Sequence, residues 1–251
     1  MISIDFEKAF DSVEWKFMIE VLKKFNFGPN FIHWIKAFYK NIESCTINNG
    51  VTSGYFELSR GVRQGDPISP YLFILCAEVL ASKVRNNNEI EGLTIENEEL
   101  KIMQFADDTN GIVANLKSAK TFISVVQEFG LFSGLYMNKD KCEAIWLGKD
   151  RNNKSKPLGI AWPEKPMKVL GIYISYDDKE NEFKNTQEKL LKIKSIINSW
   201  KKRNLTMLGR IQILKSYILS SFQYLISMVH ICTNLYNGST SVENMFVTKV
   251  M

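Results

Sequence analysis

Histidine, cysteine and proline are scarce in this chain of 251 residues, which has only two, four and six of them respectively. The cysteines (Cys45, Cys76, Cys142, Cys232) lie far apart with no Cys-x-x-Cys pair, and only two histidines accompany them. That argues against a zinc site or a disulfide framework and for a reducing compartment. No apolar run reaches the roughly 18 to 20 residues that a bilayer span needs. The nearest candidate, Ile218 to Cys232, is interrupted by Gln223 and His230. The N-terminal Met1-Ile-Ser-Ile-Asp5-Phe-Glu7 places acids where a signal peptide needs bases. The expected location is therefore intracellular, in cytoplasm or nucleus, with no membrane partner.

A composition of 45% hydrophobic, 12% aromatic and 24% charged residues excludes a disordered or collagen-like chain. The length suffices for one large or two small domains. The net charge of +5 is mild but unevenly placed. Between Lys184 and Lys215 nine basic residues face one acid, Glu188, for a net +8, which leaves the rest of the chain at −3. One segment thus holds all the excess positive charge, as expected for contact with a polyanion, although a solvated lysine-rich helix face has the same composition.

Along the chain, Ser3 to Phe6 reads as a strand. Asp11-Ser-Val-Glu14 has capping-box spacing ahead of an amphipathic helix from Val13 to Phe25. A second helix is expected over Phe31 to Ile42, and Asn49-Gly50 signals a tight hairpin. Ser69-Pro70 opens an apolar helix through about Arg85. Leu100 to Phe105 and Gly111 to Ala114 read as strands, with Ala106 to Asn110 as the tip between them. A helix from Ser118 to Phe132 stops near Gly134, and Lys141 to Leu147 and Lys168 to Ser175 read as strands around a loop at Lys149 to Pro166. Helices follow at Glu182 to Lys201 and Thr206 to Ile231. The fold class is therefore α+β followed by a small helical part, with a boundary near Tyr176 to Lys179. Asn234 to Met251 shows no clear period.

Three acids stand out: Asp5 at the end of the first strand, and the pair Asp107-Asp108 at a hairpin tip. If the two strands lie side by side, Asp5 and Asp107 converge on a point suited to Mg²⁺, which favours oxygen ligands and keeps waters and substrate phosphates in its shell. An Asp-Asp pair alone is usually a solvated turn.

The order of motifs says more. Ser3-Ile-Asp5-Phe-Glu-Lys-Ala-Phe10-Asp11-Ser-Val resembles the first palm motif of reverse transcriptases. Arg60-Gly-Val-Arg-Gln64-Gly65-Asp-Pro67-Ile-Ser69-Pro70 resembles the second, and Phe105-Ala-Asp107-Asp108 the third. Gly134-Leu-Tyr-Met-Asn138-Lys-Asp-Lys141-Cys-Glu is similar to the fourth, and Val169-Leu170-Gly171-Ile-Tyr-Ile174 to the fifth, the primer-grip hairpin. Retroviral enzymes and group II intron maturases usually place Pro directly before the Gln-Gly of the second motif. Here Arg63 stands there and Gly-Asp-Pro follows, which resembles the non-LTR (LINE-like) retrotransposon enzymes. Trp200 and Leu205-Thr-Met-Leu-Gly209-Arg210-Ile look like the thumb of that group.

The resemblance implies a polymerase palm of the reverse-transcriptase type over residues 1–176, an antiparallel sheet with packed helices. A helical basic thumb over 177–232 and an unassigned tail over 233–251 would follow. It also implies that the family's fingers domain would lie ahead of the first motif, so that the chain reads as truncated to palm and thumb. The implied activity is RNA-directed DNA synthesis, with RNA template, DNA primer and dNTP as partners and two Mg²⁺ ions, or Mn²⁺, as cofactor. The alternative is an inactive remnant that binds nucleic acid. By the same resemblance Asp5 and Asp107 are metal ligands, Asp108 is the third acid, and Phe6 lends its backbone carbonyl. Phe10 would pack under the incoming sugar and exclude a ribose 2′-hydroxyl, unless it is simply a core ring. Gln64 and Gly65 would line the nucleotide pocket, and Lys141 would protonate the leaving pyrophosphate. Leu170 and Gly171 would shape the turn that holds the primer end. Lys192, Lys194, Lys201, Lys202, Arg203 and Arg210 would contact phosphates of the template–primer duplex.

Overall fold

The computed structural model describes residues 1–151, 153–175, 177–221 and 223. The expected end of the last helix at Ile231, the tail 233–251 and the boundary residue Tyr176 lie outside the described residues. The chain divides into two units: Met1–Trp146 with Asn152–Pro163, and Leu147–Arg151 with the chain from Glu164 onward.

The first unit begins with β1 (Ile2–Ile4), a short helical turn α1 (Ala9–Ser12), and helices α2 (Trp15–Lys24) and α3 (Pro29–Phe38). The capping box expected at Asp11 to Glu14 does not form. Ser12 instead donates its hydroxyl to the Glu7 carbonyl at 2.8 Å, Val13 turns extended, and α2 starts after Glu14 with no side-chain cap. A nested hairpin follows, with β2 (Glu43–Ser44) pairing β5 (Phe56–Glu57) and β3 (Ile47–Asn48) pairing β4 (Val51–Thr52). Its loop, Asn49 (φ 51°) and Gly50 (φ 81°), takes positive φ at both positions, the backbone that Asn-Gly favours. Helix α4 (Ser69–Arg85) has the expected bounds.

Next come β6 (Leu93–Ile95) and β7 (Glu98–Leu100), a mostly exposed hairpin of three residues a strand that the expected elements do not include. Then follow β8 (Ile102–Phe105), β9 (Asp108–Gly111), α5 (Leu116–Ser133) and β10 (Glu143–Ala144). Helix α5 ends at Gly134 in the left-handed region (φ 80°), where an added Cβ would lie 2.2 Å from the Ser12 carbonyl oxygen, so glycine is required there. The strand expected over Lys141 to Leu147 shortens to Glu143–Ala144, since the preceding residues turn back on Asn138, whose carbonyl accepts from the Lys141 and Cys142 amides.

The four-stranded antiparallel sheet has the order β10-β1-β9-β8. Ile2 and Ile4 point into the core, where α2, α4 and α5 pack together and α4 also meets β8. Phe122 of α5 lies under Gly111, where any Cβ would stand 2.6 Å from its ring. By strand alternation Ser3 and Asp5 face the other way, away from the helices.

The second unit opens with β11 (Met167–Val169) and β12 (Ile172–Ile174), the hairpin that the likeness to the fifth motif implied, in place of the single strand read over Lys168 to Ser175. Its two-residue loop, Leu170 (φ 47°) and Gly171 (φ 83°), has positive φ at both positions, as the tightest hairpins require. Helices α6 (Asp178–Glu182), α7 (Glu188–Lys201) and α8 (Met207–Ile213) follow, with wide π turns at Phe183–Gln187 and Leu214–Leu219. Ile193, Ile197, Ile213 and Ile218 form its small core. Thr206 caps α8, accepting from the Gly209 amide at 3.2 Å.

Candidate active site

The hairpin of β8 and β9 is tighter than its sequence suggested. Phe105 pairs with Asp108, so only Ala106 and Asp107 form the loop and the second strand begins at Asp108 instead of Gly111. Ala106 sits at φ 52°, a conformation that alanine adopts at a cost and that neighbouring pairing must hold. On the other side, Ile4 pairs with Thr109, which sets the next residues outward, Asp5 and Asp108, opposite each other at the sheet's end. Asp107 projects from the adjoining turn. Three acidic residues thus come to one end of the sheet from the end of β1 and from the β8–β9 hairpin, about a hundred residues apart in sequence.

Their charges interact. Partial desolvation, then Asp107, then Asp5 push the Asp108 carboxyl above its ordinary range. Asp5 is half-buried, while Asp107 and Asp108 are exposed. Among the described residues, no group of three or more His, Cys, Asp or Glu is gathered tightly enough to hold a metal ion unaided. The donor set that is present, carboxylate oxygens of one half-buried and two exposed acids at one end of a sheet, matches a hard cation that retains waters and takes phosphate oxygens from a substrate.

The backbone around Asp5 is held from the opposite edge. Asn138 donates its amide to the Asp5 carbonyl at 2.8 Å, and Glu7 donates to the Tyr136 carbonyl at 2.9 Å. Asp5 donates its own amide to Sγ of Cys142 at 3.3 Å. Burial pushes the Cys142 thiol up, so it stays protonated near neutral pH. Phe6 pairs with Met137 and buries its ring in the core.

The Arg60–Gly65 loop is anchored on the same segment. Val62 donates to the Phe10 carbonyl at 2.6 Å and Gly61 to the Val13 carbonyl at 2.8 Å. The Trp15 indole Nε1 donates to the Gly61 carbonyl at 2.7 Å. Phe10 is half-buried, stacked on Phe73 of α4 with ring centroids 4.4 Å apart, so part of its role is packing. Gln64 is exposed and lines a cleft of about 800 Å³ together with Asp11, Trp15, Tyr39 and Arg60. Gly65 has φ 90° with open space around it, so its conformation rather than crowding selects glycine. Lys141 is exposed in the turn before β10, not on a strand edge. Sequence inspection passed over Trp15, Asn138 and Cys142, whose bonds to the site show only once the strands and loops are paired.

In the second unit, Leu170 and Gly171 occupy the hairpin loop. Lys192, Lys194, Lys201, Lys202 and Arg203 are exposed, and Arg210 is half-buried with Nε donating to the Leu205 carbonyl at 3.3 Å. At about 100° per residue, Lys192 and Lys194 flank the buried Ile193 on opposite sides of α7, and Lys201 shares the flank of Lys194. The Arg203 guanidinium lies 4.4 Å from the Trp200 ring centre, a cation–π contact.

A family model described as reverse transcriptase (RNA-dependent DNA polymerase) matches residues 1–174. The chain is 26% identical over 231 residues to the transposon TX1 uncharacterized 149 kDa protein of Xenopus laevis, covering 89% of this chain and 17% of that one. An uncharacterized mitochondrial protein of Arabidopsis thaliana is 37% identical over 107 residues, 41% of this chain and 88% of that protein. The retrovirus-related Pol polyprotein from the type-2 retrotransposable element R2DM of Drosophila melanogaster is 29% identical over 145 residues, 58% of this chain and 13% of the polyprotein. This chain therefore spans less than a fifth of the length of either element's protein.

Proposed function

The chain belongs to the reverse transcriptase (RNA-dependent DNA polymerase) family, in its non-LTR, LINE-like branch, and from that premise we propose that residues 1–176 form a polymerase palm and residues 177–232 a nucleic-acid-binding thumb. The reaction would be RNA-directed DNA synthesis, transfer of a nucleotidyl group from a dNTP to a primer 3′-hydroxyl. The observation that carries this reading is the register of β1 with β9, which sets Asp5 against Asp108 beside Asp107.

In this reading Asp5 and Asp107 supply the carboxylate ligands, with the Phe6 carbonyl beside them and Asp108 as the third acid. Two Mg²⁺ ions bound there would activate the primer hydroxyl and stabilise the leaving pyrophosphate. The rest falls to the chain's own groups. Phe10, braced by Phe73, forms the wall under the incoming sugar, and its ring leaves no room for a 2′-hydroxyl. Gln64 and Gly65 line the nucleotide pocket on a loop that Trp15 and the Phe10–Val13 backbone hold still. Lys141, exposed beside the Asp5 segment, supplies a proton to the departing pyrophosphate. Leu170 and Gly171 support the primer end, and the cations of α7 and α8 bind duplex phosphates without reading sequence.

The test is primer extension on poly(rA)/oligo(dT) with Mg²⁺, comparing the wild type with Asp107→Ala. Extension that the substitution abolishes supports the reading. No extension by the wild type, with duplex binding retained, would leave a nucleic-acid-binding chain without polymerase activity.

A further inference from the structure

Asp5 is placed by its backbone, and the group that meets that backbone on both sides is a thiol. The Asp5 amide donates to Cys142 Sγ at 3.3 Å, and the same sulfur lies 3.7 Å from the Asp5 carbonyl oxygen, toward which its S–H can donate. The carbonyl also accepts from the Asn138 amide at 2.8 Å. Cys142 is fully buried, immediately before β10, and β10 pairs with β1 through Ser3 and Glu143. The thiol therefore reaches across from a neighbouring element whose own position is fixed by the sheet, and it fills the step where the ladder gives way to the Asp5 turn.

We propose that Cys142 is a positioning residue for Asp5, setting the direction of its carboxylate through paired hydrogen bonds to its amide and carbonyl; the proposal rests on the reading that Asp5 holds a metal. Partners of this kind one step removed from the ion orient the ligand before the ion arrives. A buried thiol suits the role because one sulfur can accept from the amide and donate to the carbonyl. It also packs as a small apolar group among its neighbours.

Mn²⁺ binding to the full chain, followed by electron paramagnetic resonance without nucleic acid, reads this directly. The variants are Cys142→Ala, Cys142→Val and Cys142→Ser, with Asp5→Ala as the reference for loss of the site. Removing the hydrogen-bonding sulfur in Cys142→Ala should weaken Mn²⁺ binding about threefold, less than the loss of a partner bonded to the ligating group itself costs. Cys142→Ser, which keeps a donor and an acceptor, should recover most of it. Should Cys142→Ala fail to fold, as judged by circular dichroism, Cys142→Val against Cys142→Ser makes the same comparison with the volume filled. Equal Mn²⁺ affinity in wild type and in the folded Ala or Val variant overturns the proposal, as does a wild type with no Asp5-dependent Mn²⁺ binding. Primer extension keeps the two ideas apart. Cys142-dependent Mn²⁺ binding in a chain that extends no primer sinks the polymerase reading and leaves the positioning role standing.

Discussion

Asp5 and Asp108 each stand one residue beyond Ile4 and Thr109, the last pair of the β1–β9 ladder, so the register that builds the sheet also brings two acidic residues to the same end of it. Asp107 adds a third carboxyl group from the turn. The sheet thus holds together a repulsive group whose natural complement is a cation.

Burial of Asp108, together with the carboxyl groups of Asp107 and Asp5, has a measurable sign. Asp108 is raised in the folded chain, so the folded state favours its protonated form, and stability falls as pH rises from the unfolded value through the raised one. Asp108→Asn should therefore raise the melting temperature of the metal-free chain at pH 7. The gain should vanish near about pH 3, where both states carry the proton. Thermal unfolding at the two pH values checks this, and an equal gain at both would count against it.

Phe10 is held by its stack on Phe73. Phe10→Val removes that contact and should cost about 1–3 kcal/mol, below the range for fully buried phenylalanines because the ring is only half-buried. The same variant should incorporate ribonucleotides more readily. Urea denaturation measures the first effect and competition between rNTP and dNTP the second; an unchanged incorporation ratio would confine Phe10 to packing.

Two glycines of one loop should respond differently to alanine. Gly65→Ala meets nothing but an unfavourable φ of 90° and should cost about 1–2 kcal/mol. Gly61→Ala has φ 88° and would also press a methyl within 2.7 Å of the Asp11 carbonyl oxygen, so it should cost more and loosen the Phe10–Val13 segment. Chemical denaturation of the pair tests the order, and reversal of the order would contradict the anchoring described here.

The cations of α7 occupy two flanks. Neutralising Lys194 and Lys201 together, as Lys194→Gln with Lys201→Gln, should weaken template–primer binding and reduce the slope of log K against log salt by up to about 2. Adding Lys192→Gln, on the opposite flank, should change the slope less than either of the first two if the duplex lies along one side. Titrations at several salt concentrations decide it, and an unaltered slope in the double variant would remove that flank from the interface.

Much of this could be read directly from short stretches of sequence. Asn49-Gly50 forms the expected hairpin because only a few residues tolerate positive φ twice in succession. Ser69-Pro70 opens α4, and Gly134 closes α5, because helix ends are chosen by local backbone and capping demands. The motif order and the Asp-Asp pair pointed to the family that the comparison over residues 1–174 supports. The local signals failed where other contacts prevailed: Asp11 does not cap the helix, which starts only after Glu14, and Phe105 paired with Asp108, which shortened the tip.

Residue identities were thus enough to name the chemistry, since carboxylates, glycines at positive φ and a run of lysines keep their character in any fold. Which of them meet is decided by the sheet. The β1–β9 register brings Asp5 to Asp108, and the turn at Asn138 delivers Cys142 to the Asp5 amide from 137 positions away. Such contacts carry no local signature, because they arise from hydrogen bonds and packing between segments that become neighbours only after the core has formed.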